Sequence, residues 1–112
     1  MKTTFNMSEE YSERFDKIRK NAVELSYYKY GPVRKNYREG NIQAIPSCLR
    51  AIEKYKETGN TEYLCDAANY LMFEFMFPQI KGARYIPTSE AESSGIVGIS
   101  VMEMEELKSE NY

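Results

Sequence analysis

The sequence predicts an all-α fold: a small bundle of three main helices plus a short C-terminal helix, in a single domain spanning residues 1–112. Three observations carry that expectation. Apolar residues recur at spacings of three and four in three separate stretches. Glycine and proline punctuate the chain between and after them, at Gly31-Pro32, Thr58-Gly59-Asn60 and Pro78. A length of 112 residues, 42% hydrophobic and 29% charged, suits one globular core and lies well below the roughly 250 residues at which cores split.

The first helix is expected to open at Asn6, where Glu9 three residues on completes a capping-box pattern. Tyr11, Phe15, Ile18, Ala22 and Leu25 form its apolar face, and Glu10, Glu13, Lys17, Lys20 and Glu24 its solvated one. Gly31 suits the left-handed position after a helix end, and Pro32 cannot continue the helix. Residues Val33 to Asn41 are polar and basic and read as a short helix or an ordered loop. A second helix runs from about Ile42 or Pro46 to Glu57, since proline is tolerated only in a first turn. Its buried stripe is Ile45, Cys48, Leu49, Ile52 and Tyr55.

Gly59 then closes that helix, and Asn60 or Thr61 caps the next. The third helix, about Thr61 to Phe77, is the most apolar. Tyr63, Leu64, Ala67, Ala68, Leu71, Met72, Phe75 and Met76 cover more than half its circumference. Such a helix is expected at the centre, with neighbours on several sides. Ala67 and Ala68 allow one of them to approach closely. A long aperiodic loop follows at about 83–98. Ser100 with Glu103 repeats the capping-box pattern ahead of a short acidic helix, Val101 to about Ser109.

Composition excludes several chemistries. With no histidine there is no Ser-His-Asp triad and no histidine zinc site. Two cysteines, Cys48 and Cys65, cannot build a four-cysteine cage and read as reduced, buried, small apolar side chains. A formal charge of −2 argues against a general nucleic-acid binder. The N-terminus lacks the apolar core of a secretory signal. The greasiest stretch, Tyr70 to Phe77, is interrupted by Glu74 and falls short of the roughly 20 residues a membrane span needs. A cytoplasmic protein with no membrane contact is expected.

Two groups of residues remain as candidate sites. Tyr27, Tyr28, Tyr30, Arg34, Lys35, Tyr37 and Arg38 form a tyrosine-rich basic segment with no acid before Glu39. Tyrosine and arginine anchor interfaces, so this segment is the predicted binding surface, for a protein partner or for a small anion. The alternative group is acidic. Glu9, Glu10 and Glu13 spell E-E-x-x-E, and Glu62 and Asp66 stand one helical turn apart. Carboxylates at i and i+4 share a helix face and can hold Mg²⁺ against a triphosphate. Helix termini explain the same residues without a metal, because acids are favoured in a first turn.

On Glu9-Glu10-x-x-Glu13 and Glu62-Tyr63-Leu64-Cys65-Asp66, the chain resembles in outline the all-α MazG-like nucleoside triphosphate pyrophosphohydrolases. That resemblance implies Mg²⁺ held by Glu9, Glu13, Glu62 and Asp66. The chain departs from the pattern at Tyr63, which stands where the family places glutamate. A broader likeness runs from Tyr55-Lys56-Glu57-Thr58-Gly59-Asn60 through Asp66-Ala67-Ala68-Asn69-Tyr70 to Phe75-Met76-x-Pro78. There the chain resembles a family of small proteins encoded in bacteriophage and prophage genomes.

That setting implies a non-enzymatic binding protein that inhibits a host defence system, anti-CRISPR-like, through contact with a host protein or complex in the host cytoplasm. A homodimer is also expected to suit a domain of this size. The alternatives are the Mg²⁺-dependent pyrophosphohydrolase and a sponge for a small anionic nucleotide signal.

Overall fold

The computed structural model describes residues 4–88. Contacts divide the chain into two units, one of Ser8–Ala83 and one of Met1–Met7 with Arg84–Tyr112. The described part is all-α. It runs α1 (Met7–Glu10), α2 (Glu13–Tyr30), α3 (Val33–Arg38), α4 (Ala44–Thr58) and α5 (Glu62–Met76). The predicted loop at 83–98 beyond Thr88 and the C-terminal helix lie outside the described residues. No described helix is long and apolar enough to cross a membrane.

The first predicted helix is broken. A single turn, α1, ends at Glu10, and α2 starts only after Ser12. The Ser12 hydroxyl accepts the Phe15 N–H at 3.0 Å from an extended backbone, which meets one of the unpaired donors at the helix start. Glu13 and Asp16 in the first turn favour the positive end of the helix dipole. The Tyr11 hydroxyl donates to Asp16, which also pairs with Arg19 at 2.7 Å. Both contacts hold the Asp16 carboxyl below its usual range, the tyrosine hydrogen bond most. The strong cap is thus Ser12, and the Asn6–Glu9 pattern encloses only one turn. Replacing Ser12 with Ala is expected to lower stability by about 1 kcal/mol, read from urea midpoints at an unchanged slope.

At the other end of α2, Gly31 has φ 84° and returns its N–H to the Tyr27 carbonyl at 2.8 Å. Asn36 then donates from Nδ2 to the Tyr30 carbonyl at 3.0 Å, which fixes the short helix α3 against the end of α2. α4 keeps Pro46 in its first turn and ends at Gly59, whose φ of 70° is the left-handed cap. Asn60 Oδ1 accepts the Glu62 N–H at 3.0 Å and so opens α5.

α4 and α5 form an antiparallel hairpin. Its seam is built from small side chains: Cys48 and Ala51 on α4 pack with Ala67 and the partly buried Tyr70 on α5, and Ala44 at the start of α4 joins Phe73. α5 also packs on α2, where Asn69 Nδ2 donates to the Arg19 carbonyl at 3.1 Å. Above the seam, Tyr37 from α3, Ala44 and Phe73 form the larger cluster, flanked by Val23, Val33, Ile42, Met72 and Phe77. Cys48 and Cys65 are free thiols, both buried, and burial pushes the Cys48 thiol up.

Two expected stripes are displaced. On α4 the buried residues are Ala44, Cys48 and Ala51, while Ile45, Leu49 and Ile52 are exposed. On α5 Leu64, Leu71, Phe75 and Met76 are exposed, so the helix is covered on two sides and open on another. The cause is close approach. Alanine and cysteine bring the two backbones together, and the larger residues one position further round are turned away from the seam. Leu25 on α2 is likewise exposed, leaving Phe15, Ile18, Ala22 and Val23 as its inward residues.

Candidate functional site

The segment from Tyr27 to Arg38 does not act as one surface, because Gly31-Pro32 bends it between α2 and α3. Tyr27, Tyr28 and Tyr30 lie on the last turn and a half of α2 and are exposed, Tyr28 to 76%. Tyr27 and Tyr28 meet edge to face at a centroid distance of 5.6 Å. Arg34, Lys35 and Arg38 on α3 are exposed as well. Arg34 sets its guanidinium 5.6 Å from the Phe77 ring centre, a cation–π contact that restrains the side chain. Together with Lys29 these cations give the end of the molecule a local positive charge.

Tyr37 is a correction to the predicted binding set. It is 8% exposed, and its ring packs on Phe77 at 5.7 Å in the main cluster. Its hydroxyl is buried without a hydrogen-bond partner. Burial, and then the charge of Glu74, push its pKa up to about 12. Tyrosine is amphipathic, so sequence spacing alone does not say which of several neighbouring tyrosines turns inward. Here the bend at Gly31-Pro32 decides it.

Beside Tyr30, an open cleft of about 620 Å³ lies between α2, α3 and α5. Val23, Tyr70 and Phe73 give it apolar walls, and Ser26, Asn36, Asp66 and Asn69 supply polar groups. Asp66 is its one charged lining residue, and its pKa is raised by burial and then by the negative charge of Glu62. Asn69 is buried, with its amide oxygen unpartnered. Sequence reasoning missed Asn69 in this role. The available signal was one amide in the middle of the most apolar helix, next to two alanines.

The alternative acidic site does not assemble. Glu9 is on α1 and Glu13 on α2, both exposed, because the break at Tyr11-Ser12 interrupts E-E-x-x-E. Glu62 and Asp66 share a face of α5. Among the described residues, no three Asp, Glu, Cys or His side chains come close enough to hold a metal ion. The four carboxylates proposed for Mg²⁺ therefore do not meet.

No protein-family model, curated protein or solved structure matches this chain.

Proposed function

We propose that this chain is a non-enzymatic binding protein of phage type, which inhibits a host defence complex by occupying part of its surface. The observation that supports this is the end of α2 and the start of α3. Three exposed tyrosines, Tyr27, Tyr28 and Tyr30, stand beside exposed Lys29, Arg34 and Lys35, with no acid between them in the chain. Aromatic rings with fixed χ angles and guanidinium groups are the side chains that carry binding energy at interfaces. An acidic, partly apolar patch on the partner fits them, and the complementary charge speeds encounter.

The cleft does not favour the sponge reading. An anionic nucleotide placed there would face Asp66 with no lysine or arginine in the lining. The pyrophosphohydrolase reading loses its metal site for the reason given above.

The test uses a bacterium with an active CRISPR system, challenged with a targeted phage while the full chain is expressed. Wild type is expected to restore plaque formation and to co-purify with a component of the effector complex. Tyr28→Ala combined with Arg34→Ala is expected to weaken that complex by about 30-fold or more, the scale of one interface hot spot. Full activity of the double variant, or no protection by wild type, overturns the proposal. So does nucleotide turnover with Mg²⁺ that Asp66→Asn abolishes.

A further inference from the structure

On both helices of the hairpin, large apolar side chains one position past the seam stripe are exposed. Ala44, Cys48 and Ala51 are followed by Ile45, Leu49 and Ile52 on α4. On α5, Tyr63, Ala67, Tyr70 and Glu74 recur at spacings of four and three on one face; Tyr63, Tyr70 and Glu74 are followed by Leu64, Leu71 and Phe75, and Ala67 by the half-buried Ala68. One step along an α-helix is a rotation of about 100° in a fixed sense. Two antiparallel helices are related by a two-fold axis perpendicular to their plane, so the same sense of rotation brings both stripes to the same side. The residues before the seam positions, Asp66, Asn69 and Phe73, lie on the other side, where Asn69 reaches α2. Among the described residues, the hairpin is thus covered by α2 on one face and open on the other.

The open face carries six large apolar side chains. Phe75 is 72%, Leu49 58% and Leu71 53% exposed, and Ile45, Ile52 and Leu64 complete it. Lys56 continues the α4 stripe at the loop end, where it already pairs with Glu53 at 3.2 Å. Contiguous apolar surface of this kind marks an interface.

We infer that this face is the dimer interface, with a second copy of the chain packed on it two-fold, hairpin on hairpin, as an antiparallel four-helix layer. Two features select a second copy. The six side chains offer no charge or hydrogen-bonding group for a polar partner to read. Side chains half uncovered to this degree present roughly 600 Å² per copy, so a dimer buries about 1,200 Å², the lower end of stable interfaces. Leu49 and Leu71, midway along the hairpin, then sit at the dimer axis. This inference uses a different face from the tyrosine patch and stands apart from the proposed partner.

Sedimentation equilibrium of the full chain over a range of concentrations tests it. Wild type is expected at twice the 13.1 kDa chain mass. Leu49→Glu with Leu71→Glu is expected to raise the dissociation constant by at least about 100-fold while the helical circular dichroism is unchanged. Leu25→Glu, exposed on α2, is expected to leave the dimer intact. Should the double variant fail to fold, Leu71→Cys is expected to crosslink one copy to another under mild oxidation, and Leu25→Cys is not. A wild type at the single-chain mass throughout overturns the inference and leaves the face to another occupant. A folded double variant that still dimerises, or crosslinking through Leu25→Cys alone, assigns the dimer to another surface and overturns it too.

Discussion

Phe73→Ala is expected to remove about 3–4 kcal/mol of stability, the largest single effect among the described residues. Phe73 and Tyr37 are the only large side chains among the buried apolar residues described, the rest being alanine and cysteine. Phe73 touches both sides of the fold. It meets Tyr37 and Ala44 in the main cluster and sets an edge-to-face contact with Tyr70 at 6.3 Å. A cavity there cannot be refilled by neighbours as small as Ala44. Native domains are stable by about 5–15 kcal/mol, so the loss is a large share of the total. Urea unfolding at pH 7 reads it. Ile80→Ala, at an exposed position, is expected to change stability by less than about 0.5 kcal/mol. A Phe73→Ala cost no greater than that of Ile80→Ala would mean that Phe73 does not join the helices as described.

Tyr37→Phe has the opposite sign. The buried hydroxyl has no partner, so its removal relieves desolvation and is expected to raise stability by about 1–2 kcal/mol at pH 7. In a domain of this size that is a rise in melting temperature of roughly 5–10 °C. The ring contacts with Phe77 and the rest of the cluster are retained.

The pH dependence follows from the raised pKa. The folded phenol keeps its proton up to about pH 12, whereas the unfolded phenol loses it near 10. The folded state therefore holds the proton more tightly. Its contribution is fully present below pH 10 and is lost as pH rises from 10 to about 12. Tyr37→Phe lacks this loss, so the gap between variant and wild type widens across that interval. Thermal melts between pH 7 and pH 11 measure it. A variant less stable than wild type at pH 7 would show that the hydroxyl is satisfied after all.

Helix punctuation was legible in the sequence to within a residue or two. Pro46 in a first turn, Gly59 as a left-handed cap and Pro78 past the last turn each have one local explanation, and each stands where it was expected. The start of the first helix was less legible because two caps compete, Asn6 and Ser12. Ser12 opens the long helix, since Phe15 and the inward residues that follow are in phase with it.

Which side of each helix is buried was legible only in part: Phe15, Ile18 and Ala22 on α2, Cys48 on α4 and Ala67 on α5 turn inward as expected, and the larger residues of α4 do not. Hydrophobicity ranks Ile45, Leu49 and Ile52 above Ala44, Cys48 and Ala51, whereas close antiparallel packing selects the smaller set. The candidate site was partly legible. Tyr27, Tyr28, Tyr30, Arg34, Lys35 and Arg38, named from the sequence, are exposed, but Tyr37 belongs to the core. The cleft beside them is assembled from Ser26, Asn36, Asp66 and Asn69, residues up to 43 positions apart in the chain. Such distant groups leave no local pattern.

The three residues between α4 and α5, Gly59 to Thr61, bear on the order in which the molecule comes together. The entropy of closing a loop grows as about (3/2)RT ln n, so a link this short makes the hairpin the cheapest long contact to form. Docking α2 against α5 must instead close the long stretch that includes α3 and all of α4. Although α2 leaves the ribosome first, it has nothing to dock on until α5 is complete. On loop-closure entropy alone, the hairpin with its alanine seam is expected to form before α2 docks on α5.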